Sequence, residues 1–243
     1  MEWHDSGFVL AARKHGESSI ILTLFTEQHG RHLGLVRGGA GKRARGIYEA
    51  GNLVAAQWRA RIPDHLGTYT CELNKPKAAL LMDSPMKLAA LSAACGVAAI
   101  ALPERIPESS LFQKFAGLLD TLETEDWPSA FVQWELDLIG ELGFGLDLSH
   151  CAATGRTDDL CYVSPRTGRS VSRDAGAPYA KNLLPLPSFL LERGRAAADW
   201  QEISDGLALT GYFLEHHVLA PHQQKIPAAR DRLLDRIQGK ISA

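Results

Sequence analysis

Cysteine is scarce in this chain. Cys71, Cys95, Cys151 and Cys161 are spread over 243 residues, too few and too scattered for a disulfide framework. No apolar run approaches the roughly 20 residues of a membrane span. The opening residues, Met1-Glu2-Trp3-His4-Asp5, lack the basic start and apolar centre of a secretion signal. A soluble cytoplasmic protein is the expectation. There is no internal repeat and no low-complexity tract. Catalytic signatures are missing too: no G-x-S-x-G, no H-E-x-x-H, no paired-carboxylate cluster and no nucleophile beside a plausible base. The expectation is a protein that is not an enzyme. Gly41-Lys42 suggests a phosphate-binding loop, but that motif needs Gly at 36 and Ser or Thr at 43, where this chain has Val36 and Arg43.

What is present starts with a basic stretch. Residues 30–46 read GRHLGLVRGGAGKRARG, with Arg31, Arg37, Lys42, Arg43 and Arg45 and no acidic residue. Five cations on a glycine-rich segment suit a polyanion of repeating charge, nucleic acid first. A solvated basic loop is the alternative. The net charge of -2 hides an asymmetry. Residues 1–80 carry 11 Lys and Arg against 7 Asp and Glu, net +4; residues 81–243 carry 15 against 21, net -6. Attraction to a polyanion is therefore expected to be local and N-terminal.

The N-terminal third reads as short strands at 7–13, 20–26, 31–37, 52–61 and 67–73, with β-branched and aromatic residues and hairpin-length turns. In the third, Leu33 and Leu35 share a face with Arg31 and Arg37. In the fourth, Val54, Ala56 and Trp58 share one face and Arg59 and Arg61 take the other. Five such strands suggest a small barrel, OB-type or SH3-like. Arg59 and Arg61 would extend the basic surface. Tyr48, beside the basic loop, is the candidate for stacking on a base; Trp58, Tyr69 and Phe25 are also available, with Trp58 expected in the core.

After Lys75-Pro76-Lys77 the period changes. Residues 86–102 are helical text. Leu111, Phe115, Leu118 and Leu122 make one stripe, and Phe131, Trp134, Leu138 and Leu142 another. Residues 143–187 lose that pattern and predict turns and a short hairpin. Helical text resumes at 188–193, 200–218 and 226–237. His216 and His217, about 100° apart on a helix, are no metal pair. Zinc usually takes two close pairs of ligands. Thr154 stands three after Cys151, and Ser170 and Ser172 offer no thiolate, so two ordinary thiols are expected.

The order of these features resembles the RecO family of bacterial recombination mediators. The similarity rests on Trp3-His4-Asp5-Ser6-Gly7-Phe8-Val9-Leu10, on Gly16-Glu17-Ser18-Ser19 and on Leu22 through Gly30. Arg37-Gly38-Gly39, Leu53-Val54, the run from Glu135 to Leu148, Cys151 with Gly155, and Val163-Ser164-Pro165 extend it over nearly the whole chain. The resemblance implies a mixed α+β protein: an OB-fold DNA-binding domain at 1–78 and a helical domain at 79–243, with a zinc-finger-like insertion at about 148–182. It implies sequence-nonspecific binding of single- and double-stranded DNA, strand annealing, partnership with RecR, and help in loading RecA onto strands covered by single-strand binding protein. The acidic C-terminal tail of that binding protein would meet the helical domain, with Lys87, Arg105 and Lys114 as candidate contacts. A cytoplasmic, nucleoid-associated location follows. Some members carry four zinc-binding cysteines in the insertion. Here Thr154 replaces the second and the second pair is missing, which predicts no cofactor, with Cys151 and Cys161 as the remnant. The DNA candidates are Arg31, Arg37, Lys42, Arg43, Arg45, Tyr48, Arg59 and Arg61. The rival reading is a non-catalytic interaction module whose basic face docks an acidic protein.

Overall fold

The computed structural model describes every residue except Pro63, Arg193, Gly194, Ala196, Ala198, Ala243 and the side chain of Arg43. The fold is mixed α+β. Five strands come first: β1 (Glu2–His15), β2 (Ser19–Thr26), β3 (Gly30–Val36), β4 (Leu53–Arg59) and β5 (Thr68–Lys75). They close into a barrel in the order β1-β2-β3-β5-β4. Closure removes the open edges that an extended sheet would leave. Alternation along each strand fills the interior: Ile20, Leu22 and Leu24 from β2, Val36 from β3, and Val54, Ala56 and Trp58 from β4 are all buried.

β1 is longer than its hydrophobic pattern predicts. Residues 2–8 pair with β4 and residues 7–15 with β2, with an irregularity between Val9 and Ala11. Two different partners extend the strand past the point where its own alternation stops. Conversely, β4 ends at Arg59, so Arg61 lies in the bend beyond it and not on the strand. The basic segment also differs from a plain loop, because a short helix, α1 (Lys42–Arg45), forms inside it.

Helices follow the barrel: α2 (Lys77–Leu80), α3 (Pro85–Ala101), α4 (Ser109–Thr121), α5 (Trp127–Ile139), α6 (Arg173–Gly176), α7 (Trp200–Phe213) and α8 (Ala228–Ile241). Ser84 caps α3 by accepting from the Lys87 amide, with Pro85 at its first position. Asp199 caps α7 in the same way through the Glu202 amide. Of the helix expected at 188–193, the described residues form only a 3-10 turn at Ser188–Leu190, and Arg193 lies outside them. The long helix expected to end at 218 turns into a π-helix at Leu214–Leu219. The insertion is a three-stranded sheet of β6 (Leu160–Val163), β7 (Ser170–Ser172) and β8 (Leu184–Pro185), ordered β7-β6-β8.

The chain divides into two compact units. The first holds residues 1–123 and 227–230; the second holds 124–226 and the residues from 231 on. In the first, Phe8 and Phe25 of the barrel pack on Phe112 and Phe115 of α4. Lys77 is buried there, with its ammonium on Asp120, 2.7 Å away, and on Glu123. In the second, α7 lies close on α5: a Cβ on Gly206 would stand 2.8 Å from Val132. Between those helices the buried carboxylate of Glu135 accepts from the Thr210 hydroxyl at 2.6 Å.

Candidate nucleic-acid interface

The hairpin joining β1 to β2 turns at Gly16, whose φ of +66° is a left-handed conformation that glycine adopts without strain. Arg13 and Lys14 stand exposed beside it. The segment after β3 folds back onto this hairpin. The Ala40 amide donates to the Ser18 carbonyl at 3.0 Å. Gly39 comes so close that a Cβ there would lie 2.7 Å from Ile20 Cγ1. Behind it, the buried Asn52 side chain donates to the carbonyls of Gly46 and Ile47 and accepts from the Ala78 amide. The glycines let the segment approach, and Asn52 fixes where it ends.

This geometry divides the expected DNA contacts into two groups. Arg37, Lys42 and Arg45 are exposed, and together with Arg13 and Lys14 they form no ion pair among the described residues. All five lie on the hairpin or on the segment fastened to it. The side chain of Arg43 lies outside the described residues. Arg31 and Arg59 are engaged within the protein. The Arg31 Nε donates to the Leu102 carbonyl at 2.7 Å, and its guanidinium faces Glu104 at 3.9 Å. Arg59 makes two 2.9 Å contacts with the two oxygens of Glu2. That pairing, helped by Gln57, holds the Glu2 carboxyl below the usual carboxylate range. Arg61 is exposed, beyond β4.

Tyr48 does not fit its expected role. It is 8% exposed and belongs to the barrel core, so its ring has no open face for a base. Tyr69 at 4%, Trp58 at 2% and Phe25 at 1% are buried too. Tyr69 bonds His32 inside the barrel. The outer face between the cations is aliphatic instead. Ile21 pairs with Leu35, and Thr23 with Leu33; all four are half-exposed. Arg13 sits opposite Ile21 and so borders that face.

The sequence reading missed Arg13, Lys14 and Asn52. The run Arg13-Lys14-His15 directly before Gly16 carried the signal for the first two, since cations at a hairpin tip can meet any loop that folds back. The sequence pattern puts Asn52 at the start of the fourth strand, whereas β4 begins at Leu53, and nothing in the sequence marks its side chain as a clasp.

Lys87, Arg105 and Lys114 lie on three different segments of the first unit. Arg105 donates to the carbonyls of Asp64 and His65. Lys87 reaches the Glu123 carbonyl. The structure therefore does not present Arg105 and Lys87 as idle surface cations.

In the insertion, Cys151 is 1% exposed. Its sulfur accepts from the Ser172 amide at 3.3 Å and the Ser172 hydroxyl at 3.4 Å. Burial works to raise this thiol, but these bonds, with others from Thr154 and Ala153, outweigh it and bring it down to about 6. Hydroxyls and amides thus surround the sulfur where zinc would need further thiolates or imidazoles. Among the described residues no group of three or more His, Cys, Asp or Glu could hold a metal ion. The residues around Cys151 do not fit zinc.

Among the described residues no helix is long and apolar enough to cross a membrane. Comparison with known sequences matches residues 1–76 to the family model "Recombination protein O N terminal" and residues 82–226 to "Recombination protein O C terminal". The boundary between the two models falls where the barrel gives way to helices. The chain is 50% identical to the DNA repair protein RecO of Rhodospirillum rubrum, over 98% of this chain and 97% of that one. It is 51% identical to the RecO of Rhodospirillum centenum, over 97% and 94%. With the RecO of Ruegeria sp. the figures are 47%, 99% and 100%. Barrel, helices and insertion all fall within these full-length similarities, and the chain belongs to the RecO family.

Proposed function

We propose that this protein acts in DNA repair and recombination by binding single- and double-stranded DNA through the hairpin end of its barrel, without reading sequence. The observation that carries the reading is the grouping of Arg13, Lys14, Arg37, Lys42 and Arg45, exposed and free of carboxylate partners among the described residues. Such cations displace condensed counterions from phosphates, a gain that is independent of base identity. The half-exposed Ile21, Leu33 and Leu35 offer apolar contact to unstacked bases, which favours single strands and supports annealing. Partnership with RecR, contact with the tail of single-strand binding protein and help in loading RecA belong to the same reading, as do a metal-free insertion, the absence of catalysis and a cytoplasmic, nucleoid-associated location.

Fluorescence anisotropy of a labelled oligonucleotide, titrated with the full chain across a salt series, tests it. Replacing Arg37, Lys42 and Arg45 together by Ala should weaken binding to every sequence. The log–log salt slope should fall by about 2. An unchanged slope would remove these residues from the interface.

A further inference from the structure

The inward-facing side of the β1–β2 hairpin continues past the packed core. Lys14 pairs with Ile20 in the ladder, and Ile20 points into the barrel core. Above them, the segment fastened at Gly39 and Ala40 forms the far wall. The result is a concavity of about 400 Å³ at the barrel mouth, lined among others by Lys14, Glu17, Ile20, Arg45, Tyr48 and Glu49. That is the size of a small-ligand cleft. Its two cations and two carboxylates cancel. Inside the lining a phosphate gains less than on the cations outside it, because Glu17 and Glu49 offset part of the attraction of Lys14 and Arg45 there. The other three cations of the group, Arg13, Arg37 and Lys42, stand outside this lining.

We propose that this concavity seats one unstacked nucleobase of a bound DNA strand, with the phosphates held on the cations outside. The seat rests on the DNA-binding reading above. Carboxylates accept hydrogen bonds and never donate when ionised. They suit bases with an exocyclic amino group: adenine, cytosine and guanine. Thymine has no such group: its one free N–H lies between two carbonyl oxygens that repel a carboxylate, while Lys14 and Arg45 can donate to the ring acceptors of any base alike. Ile20 and Ala12 in the lining supply apolar contact for the ring. The walls are fixed in advance, by the Ala40–Ser18 hydrogen bond and the close Gly39–Ile20 approach, so little ordering is needed on binding. A single selective seat on a nonselective path gives a modest bias in base composition.

The test uses the full chain and two labelled single-stranded dodecamers, one all thymidine and one with a single central cytidine. The wild type should bind the cytidine strand about tenfold tighter, the discrimination expected of one well-bonded base. The double substitution Glu17→Ala with Glu49→Ala removes negative charge. It should raise affinity for the all-thymidine strand and abolish the discrimination. Ala12→Trp, which fills the concavity from the same strand as Lys14, should abolish discrimination while leaving duplex affinity and its salt slope unchanged. Equal wild-type affinity for both strands overturns the seat and leaves DNA binding intact. Discrimination that survives Glu17→Ala with Glu49→Ala also overturns the seat. Absence of binding to either strand overturns the DNA reading and the seat together. Duplex affinity and circular dichroism of each variant report whether it has folded.

Discussion

His32 is 4% exposed inside the barrel, and its Nδ1 lies 3.0 Å from the Tyr69 hydroxyl. Burial, with the Arg105 charge nearby, pushes its pKa down from 6.5 to about 4. The folded barrel therefore binds this proton less readily than the unfolded chain. Its contribution is complete above pH 6.5 and is lost as the pH falls from 6.5 towards 4. Between about pH 7.5 and 4.5 the loss should be about 2–3 kcal/mol. Urea unfolding at those two pH values should show His32→Gln losing less stability than the wild type by that amount. Equal losses would mean that His32 is reached by solvent. Inward side chains such as Trp58 were legible from the two-residue period, which fixes the face of each strand residue. Tyr48 was not, because it lies outside any strand, and only the fold of its segment turns its ring inward. Arg31 kept its predicted face but found a partner 71 residues away, which no local pattern encodes.

The segment between α3 and α4 explains that partner. It runs along the β3 end of the barrel, with a parallel bridge between Arg31 and Glu104. The Arg105 amide donates to the Arg31 carbonyl at 2.8 Å. Gly30 lies beneath it with φ +63°, and a Cβ there would stand 1.9 Å from the Ile106 carbonyl oxygen. Gly30→Ala should therefore cost about 2–4 kcal/mol, from left-handed strain and from displacing backbone. Arg31→Ala should lower stability while changing DNA affinity at moderate temperature less than twofold. Arg37→Ala should do the reverse. Chemical denaturation and anisotropy on both arginine variants separate the roles, and a greater loss of affinity from Arg31→Ala would return that residue to the interface. The strands were legible because alternation is local. The lengths of β1 and β4 were not, since pairing partners set them, and neither was the helix α1 inside a glycine-rich run. The insertion showed as a break in helical period, but its third strand is only two residues long, too short to leave a pattern.

The division of charge between the N-terminal third and the rest was readable from composition, and it survives as geometry, with exposed cations at one end of the barrel. The division into units was not readable. The first takes in α2, α3 and α4 and, from far along the chain, residues 227–230. Gly96 of α3 lies so near Pro227 that an added Cβ would come within 3.2 Å of it. A chain ending at Ile226 should therefore loosen the first unit as well as losing α8. Amide exchange across residues 85–101 should quicken by about tenfold or more. Unaltered protection there would show that residues 227–230 add nothing to it. The crossing at β3 has a further consequence for how the protein is made. All five strands have been synthesised once Lys75 is added, yet the residues that lie along Gly30 and Arg31 follow some thirty positions later. At a ribosomal pace of about 5–20 residues per second, each nascent chain passes through an interval of seconds in which the Gly30–Arg31 end of β3 lacks its later cover, and crowded translation would leave that short stretch open to strand-to-strand sticking between neighbours.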